Sequence, residues 1–193
     1  MSQPKNIAIF ISGGGSNARK IIEYSLVEDC GFKVAMLVAS KPDAGGLLVA
    51  AEHNIPTLVL DRKTFRETPQ LLSILKEFDI DFIVLAGFLW LVPTYLVQAF
   101  PDKIVNIHPA LLPKFGGKGM YGMNVHRAVK AAGETESGPT IHFVNERYDE
   151  GNIIAQFSTP ISPEDTAEKI AAKVLALEHA HYAKVVEEVL LSW

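Results

Sequence analysis

Two residues near the middle of the chain carry side chains suited to acyl chemistry. Asn106 and His108 stand two positions apart in residues 106–113, NIHPALLP, where a short buried strand predicted from residues 103–105 meets a proline-rich turn. Side chains at i and i+2 of a strand share a face. An amide that donates to a developing oxyanion, beside an imidazole that moves protons near neutral pH, suits acyl or formyl transfer to an amine. The alternative is a turn-capping asparagine beside a half-buried structural histidine.

A glycine-rich loop, GGGSN at residues 13–17, lies between the first predicted strand and the first predicted helix. Glycines let backbone N–H groups approach an anion, and a helix N-terminus favours negative charge, so the loop predicts binding of a phosphate monoester. The alternative is a tight turn in which Ser16 or Asn17 caps the helix. A dinucleotide fits less well, because the glycine spacing departs from G-x-G-x-x-G and Asp61 is poorly placed for a ribose clamp.

Two polar residues in the C-terminal part of the chain are further candidates. Asp149 lies in a loop, and a carboxylate there that reaches His108 would raise the pKa of the imidazole and hold its orientation. The alternative for Asp149 is a simple turn residue. His142 alternates with Ile141 and Phe143 on a predicted strand, so it faces away from the core and either lines a cleft or lies on the surface.

Residues 86–93, AGFLWLVP, follow a buried strand and carry Phe88 and Trp90. They form either an apolar wall for a flat ring or ordinary core packing. Arg66 is most simply a solvated charge. No metal is predicted, because four further histidines lack companions at metal-ligand spacing: His53, His126, His179 and His181.

Apolar runs alternate with amphipathic segments over the first half of the chain, which predicts a doubly wound, parallel α/β sheet. The predicted strands are 6–11, 32–40, 57–60 and 82–86, with helices ending near 28 and over 44–53 and 68–78. Beyond a mobile glycine-rich loop at 116–122, we expect a helix over 125–132 and an antiparallel pair at 139–144 and 152–159. A long C-terminal helix is expected to open with Ser162 as its cap and to bury Ile170, Val174, Leu177 and Val185.

Length and composition predict one domain over residues 1–193. The chain is 48% hydrophobic and 21% charged, with a net charge of −4 and no basic run that would bind nucleic acid. Its longest apolar run, residues 82–92, falls short of the roughly 20 residues that a membrane span needs. The single cysteine, Cys30, excludes an internal disulfide. We therefore expect a soluble cytoplasmic protein.

Four motifs occur in an order that resembles one enzyme family: GGGSN at 13–17, AGF at 86–88, NIHPALLP at 106–113, and HFV at 142–144 followed by Asp149. The chain resembles the phosphoribosylglycinamide formyltransferases of purine biosynthesis over nearly its whole length. The NIHPxLLP pattern is shared across folate-dependent formyltransferases, and the early glycine loop narrows the resemblance to this family. The resemblance implies a Rossmann-like fold with an antiparallel C-terminal β segment and a long C-terminal helix.

The resemblance also implies an activity and a set of site residues. The formyl group of 10-formyltetrahydrofolate would pass to the amine of 5'-phosphoribosylglycinamide, in a monomer or a homodimer. Asn106, His108 and Asp149 would be the catalytic set, with protonated His108 stabilising the oxyanion and passing a proton to the departing folate nitrogen. The substrate would be bound by Gly15, Ser16, Asn17 and Glu178. The folate would be bound by Arg66, Leu89, Trp90, Leu91, Val92, Asn106, Asn145, Glu146, Arg147 and Tyr148.

Three departures from the family pattern and several alternatives stay open at this point. The segment 116–124 is longer than in several relatives, Trp90 replaces a basic or smaller residue, and Asp149-Glu150-Gly151 replaces Asp-Gly-Gly. Hydrolysis of 10-formyltetrahydrofolate and formylation of methionyl-tRNA or of a nucleotide-linked amino sugar are related activities. The hydrolase and tRNA activities are expected with an additional domain, which makes chain length a discriminator. A non-catalytic folate- or nucleotide-binding module would not need the three catalytic residues together.

Overall fold

The computed structural model describes residues 3–192, so residues 1, 2 and 193 of the predicted domain lie outside the described part. Strands and helices alternate along the first half and the chain closes on one long helix. The elements in chain order are β1 Lys5–Ile11, α1 Ser16–Ser25, β2 Phe32–Ala39, α2 Gly46–Glu52, β3 Thr57–Val59, α3 Arg62–Glu67, α4 Gln70–Glu77, β4 Phe82–Leu85, α5 Thr94–Ala99, β5 Ile104–His108, α6 Met123–Ala131, β6 Glu136–Ser137, β7 Thr140–Phe143, β8 Ile153–Gln156, β9 Thr159–Pro160 and α7 Ala167–Leu191.

Seven of these strands form a mixed sheet in the order β3-β2-β1-β4-β5-β7-β8. The first five strands in that order are parallel, whereas β7 runs antiparallel to β5 and β8 antiparallel to β7. The predicted doubly wound, mostly parallel sheet with an antiparallel C-terminal segment is therefore confirmed. Strands β6 and β9, which the sequence pattern did not predict, pair separately as a two-stranded ribbon.

Helices cover both faces of the sheet, which is why its central strands are apolar throughout. Ile7 and Ile9 of β1 pack in the cluster that contains α1, α2 and α7. Ala8 and Phe10 of the same strand pack in the cluster that contains α3, α4 and α5. The alternation along one strand thus places the two helical layers on opposite faces.

The long helix α7 begins later than the sequence predicts. Its N-cap is Thr166, whose side chain accepts from the Lys169 N–H at 3.2 Å, so the prediction of a Ser162 cap is wrong. The reason is that Asp165, buried in front of the helix, accepts from Ser162 N at 3.1 Å and pairs with Lys169 and Lys173 at 2.6 Å each. Of the predicted apolar stripe, Ile170, Val174 and Val185 are buried and Leu177 is half-buried.

Two short helices, α3 and α5, were absent from the sequence-based prediction. Each has six residues, too few to display the 3.6-residue apolar period that revealed the longer helices. The first of them is fixed locally by Asp61, whose carboxylate accepts from the Thr64 N–H at 2.8 Å. Asp61 is thus a helix cap.

Candidate active site

A cavity lies at the carboxyl end of the parallel strands, beside the point where the strand order reverses at β1. In open α/β sheets this crevice is the usual ligand site. The cavity has a volume of about 460 Å³. Its walls come from the segments that follow β1, β4, β5 and β7, together with one residue of α7, Glu178.

Asn106 and His142 face each other across the antiparallel pair of β5 and β7. The Asn106 Nδ2 to His142 Nε2 distance is 3.1 Å, and His142 Nδ1 lies 2.8 Å from the Phe143 carbonyl oxygen. Because a carbonyl only accepts, the proton of a neutral His142 sits on Nδ1, and Nε2 accepts from the Asn106 amide. That bond orients the amide and leaves its second N–H available to a ligand.

His108 occupies the next position on the same face of β5 and is only 4% exposed. Its Nε2 donates to the Phe115 carbonyl at 2.8 Å, and its Nδ1 lies 3.5 Å from Asp149 Oδ2. The net effect of this environment is to lower the pKa of His108, because burial outweighs the raising effects of Asp149 and the Phe115 carbonyl. The predicted approach of Asp149 to His108 is present, and Asp149 acts to raise the pKa of the imidazole as predicted, although burial makes the net shift a lowering.

Asp149 lies within reach of both histidines. Its Oδ2 accepts from the Gly117 N–H at 2.9 Å, and its Oδ1 lies 3.6 Å from His142 Nε2. Burial raises the pKa of Asp149, but His142, His108 and the Gly117 N–H together outweigh it and the pKa is lowered. The carboxylate is therefore ionised at neutral pH and supplies a fixed negative charge beside His108.

The turn after β5 is held by a buried hydroxyl. Thr140, which is opposite His108 in the strand register, donates from Oγ1 to the Ala110 carbonyl at 2.6 Å. The same oxygen accepts from Leu112 N at 3.0 Å and from Gln156 Nε2 at 2.9 Å. These bonds fix the proline-rich turn and with it the direction in which His108 points.

The glycine loop supplies the other end of the site. Gly15 is the N-cap of α1 with φ of 77° and no side-chain cap, so the alternative prediction of a Ser16 or Asn17 cap is wrong. A Cβ at Gly15 would also meet Gly46 Cα at 2.5 Å. Asn17 lines the cavity and donates from Nδ2 to Glu178 Oε2 at 2.6 Å. Burial raises the pKa of Glu178.

Asn17 also carries a buried acceptor with no internal partner. Within residues 3–192 its Oδ1 makes no hydrogen bond, although the atom is shielded from solvent. A buried polar atom without a partner is costly unless a ligand satisfies it. Gly15 and Ser16 do not line the cavity, although they directly precede Asn17 at the start of α1.

Apolar residues also line the cavity. Phe88 and all four residues of the predicted stretch 89–92 line it. Trp90 contacts the rings of Phe65 and Phe88 at centroid distances of 5.7 and 6.0 Å, with the Arg62 guanidinium 5.6 Å above it. Phe88 is thus both a core residue and a lining residue, so the two interpretations of it were not exclusive.

The remaining predicted folate residues divide into two groups. Asn145, Arg147 and Tyr148 line the cavity. Arg66 and Glu146 do not: Arg66 is exposed on α3 and Glu146 is exposed in the loop after β7.

Sequence reasoning left two features outside the predicted site. His142 was predicted to line a cleft or lie on the surface and was not assigned a role, because the register that places it opposite Asn106 could not be predicted from the alternation along β7. The loop over 117–122 also lines the cavity, including Lys118, Met120 and Tyr121. Because the glycines of this loop follow no helical or strand period, the sequence did not indicate where the loop packs.

No group of three histidine, cysteine, aspartate or glutamate side chains within 3–192 is arranged to hold a metal ion. Over the same residues, the length and apolarity of the helices fall short of what a membrane span requires.

Comparison with known proteins places the chain in a family. The sequence profile described as formyl transferase matches residues 5–186. The chain belongs to the formyl transferase family. This confirms the resemblance predicted from the four motifs.

Two relatives and one crystal structure show how similar the chain is to known proteins. A protein of Arabidopsis thaliana named phosphoribosylglycinamide formyltransferase, chloroplastic, is 49% identical over 188 residues, covering 94% of this chain and 64% of that protein. The chain thus spans just under two thirds of that relative. The phosphoribosylglycinamide formyltransferase of Haemophilus influenzae is 38% identical over 187 residues, covering 95% of this chain and 86% of that protein. The crystal structure of the enzyme of that name from Bacillus halodurans superposes with a TM-score of 0.86 at 38% identity, covering 96% of this chain and 95% of that one.

Proposed function

We propose that the protein transfers the formyl group of 10-formyltetrahydrofolate to the amine of 5'-phosphoribosylglycinamide, giving 5'-phosphoribosyl-N-formylglycinamide and tetrahydrofolate in purine biosynthesis. The observation that carries this proposal is the cluster of Asn106, His108, His142 and Asp149 inside one cavity. The names of the Arabidopsis and Haemophilus relatives point to the same reaction.

The glycine loop is the proposed site for the substrate phosphate. Gly15 leaves the first N–H groups of α1 without a side-chain cap, so Ser16 and Asn17 can offer backbone donors to an anion. The unpartnered Asn17 Oδ1 and the Glu178 carboxyl then face the hydroxyl and amide groups of the same ligand. These four residues form our proposed substrate-binding set.

The apolar wall is the proposed site for the folate ring. Residues 89–92 give a flat heterocycle a surface to pack on and backbone groups that can read its polar edge. Asn145, Arg147 and Tyr148 line the same cavity, as does Asn106. The exposed Arg66 and Glu146 complete the proposed folate set, for a bound cofactor that extends beyond the cavity.

The proposed chemistry assigns one task to each polar group. The folate supplies the formyl carbon, which the substrate amine attacks. Asn106 donates its free N–H to the oxygen that becomes negatively charged. Because burial lowers the pKa of His108, the imidazole is neutral before the attack, rather than the imidazolium expected from the sequence. His108 takes the proton that the amine loses, Asp149 stabilises the imidazolium formed, and the proton passes to the departing folate nitrogen.

Turnover with and without the nucleotide tests this proposal. Purified protein is mixed with 10-formyltetrahydrofolate, and deformylated folate is followed by absorbance in the presence and absence of 5'-phosphoribosylglycinamide. We expect loss of the formyl group only when the nucleotide is present. Equal loss without it would indicate a hydrolase. Tight ligand binding with no turnover would indicate a binding module, and turnover only with other amines would indicate another acceptor.

Other proposals concern the whole protein. We propose a single formyltransferase domain over residues 1–193, supported by the seven-stranded sheet whose strands β4, β5 and β7 contribute residues to the site. We also propose small-molecule substrates, no nucleic-acid or membrane partner, no metal, and a monomer or homodimer. A cytoplasmic location stays a proposal, since the name of the Arabidopsis relative describes a chloroplastic protein.

A further inference from the structure

The charges that line the cavity do not match the charges of the proposed substrates. The carboxylates are Asp149 and Glu178, and among the described residues the lysine and arginine side chains that line the cavity are Lys118 and Arg147. A phosphate monoester bound at α1 would bring about two further negative charges beside Glu178. Backbone N–H groups at a helix N-terminus bind such an anion, and a cation beside them would compensate the remaining negative charge.

Arg147 is less well placed than Lys118 for this role, although it lines the same cavity. It lies in the connection after β7, where Val144 packs against the cluster that contains α3, α4 and α5. Its guanidinium is paired with Glu150 at 3.0 Å. The phosphate loop instead leads into α1, which belongs to the opposite helical layer.

Lys118 is on the same side as the phosphate loop. It lies in the connection between β5 and α6, and Met120, two residues further on, packs against the cluster formed by α6 and the first half of α7. Helix α7 packs on both α6 and α1 and contributes Glu178 to the cavity. This connection therefore reaches the cavity from the α1 and α7 side.

The two glycines that flank Lys118 are required by the backbone conformation and not by close packing. Gly117 and Gly119 have φ of 92° and 89°, and a Cβ at either position would meet no atom within 4 Å. Residues other than glycine rarely adopt such φ values. Because the Gly117 N–H also donates to Asp149 at 2.9 Å, the segment is anchored at the catalytic carboxylate on one side of Lys118 and by Met120 on the other.

We propose that Lys118 binds the phosphate of the ribonucleotide and thereby sets the preference for a phosphorylated acceptor over the corresponding riboside. This inference rests on the proposed function, which it deepens by naming the cation of the phosphate site. The side chain is exposed and lines the cavity. When the ligand binds, the Lys118 side chain closes over the phosphate. Its ammonium group compensates the negative charge of the phosphate, which lies beside Glu178.

Steady-state kinetics of Lys118→Gln and Lys118→Arg test the proposal, with Lys184→Gln, an exposed α7 residue outside the cavity, as the matched control. For Lys118→Gln we expect the KM for 5'-phosphoribosylglycinamide to rise about 10- to 100-fold, which is the usual range for losing a charged hydrogen bond. The kcat, the KM for the folate, and kcat/KM for the unphosphorylated riboside should stay unchanged. Lys118→Arg should recover most of the lost affinity, and Lys184→Gln should behave as wild type.

Two kinetic outcomes would overturn the proposal: an unchanged KM for the ribonucleotide, or a rise confined to the KM for the folate. A wild-type protein without turnover would refute the proposed function rather than this inference. In that case calorimetry with inorganic phosphate is the test. Weaker phosphate binding by Lys118→Gln than by Lys184→Gln would support the inference, and equal binding by the two variants would refute it.

Discussion

His108 is placed where two opposing influences on its protonation meet. Burial favours the neutral imidazole, whereas Asp149 at 3.5 Å and the Phe115 carbonyl at 2.8 Å favour the imidazolium. The His108 imidazole is therefore neutral before the amine attacks. When it takes the proton, Asp149 and the Phe115 carbonyl stabilise the imidazolium. The sequence indicated both residues, but it could not give the balance, because burial depends on how the turn after β5 folds back.

The first prediction concerns Asp149→Asn. Because the carboxylate raises the pKa of His108, its loss should lower that pKa further and move the acid limb of the kcat/KM profile to lower pH. NMR titration of the His108 ring measures the pKa directly. Glu150→Gln, a neighbouring exposed carboxylate, is the control and should leave the His108 titration in place. An unchanged or raised pKa in Asp149→Asn would contradict the assigned contact.

At the scale of elements, the site depends on how β7 lies against β5. The register pairs Asn106 with His142 and His108 with Thr140, so one antiparallel pair orients the amide and also holds the turn that follows the histidine. The motif at 106–113 and the alternation at 139–144 predicted both strands. They could not predict the register, which is fixed by contacts between residues more than thirty positions apart.

The second prediction concerns Thr140→Val, which keeps the side-chain shape and removes the hydroxyl. The change leaves the buried Leu112 N–H and Ala110 carbonyl without this partner, so we expect a loss of about 2 kcal/mol in the free energy of unfolding. The kcat should fall as well, because the turn beside His108 loosens. Urea denaturation and steady-state assays measure the two effects. Thr68→Val, whose hydroxyl bonds only within its own turn, is the control and should change stability by less than about 0.5 kcal/mol.

For the molecule as a whole, the alternation of strands and helices was enough to predict the doubly wound sheet. The remaining features depended on short or non-local interactions. Helices α3 and α5 are too short to show a period, and the loop over 117–122 is positioned by Asp149 and by the α6–α7 cluster. The same packing buries His126, whose pKa is lowered by burial and by the nearby His108.

The third prediction follows from that buried histidine. The unfolded chain binds a proton at His126 near its ordinary pKa of 6.5, whereas the folded chain binds it only at lower pH. Below pH 6.5 unfolding therefore takes up a proton, and the contribution of His126 to the free energy of unfolding falls as the pH falls. His126→Gln removes this contribution, so the variant should gain stability relative to wild type between pH 7.5 and pH 5. Urea denaturation at both pH values measures the difference, and a constant gap would contradict the assignment.

The most direct test of the central claim is the turnover number of His108→Ala with 5'-phosphoribosylglycinamide and 10-formyltetrahydrofolate. The account predicts a loss in kcat on the order of 10²-fold or more, with the fold retained by circular dichroism and nucleotide binding retained by calorimetry. Asn106→Ala should show a loss of similar size. A folded His108→Ala protein that turns over at nearly the wild-type rate would contradict the claim that this imidazole moves the proton of formyl transfer.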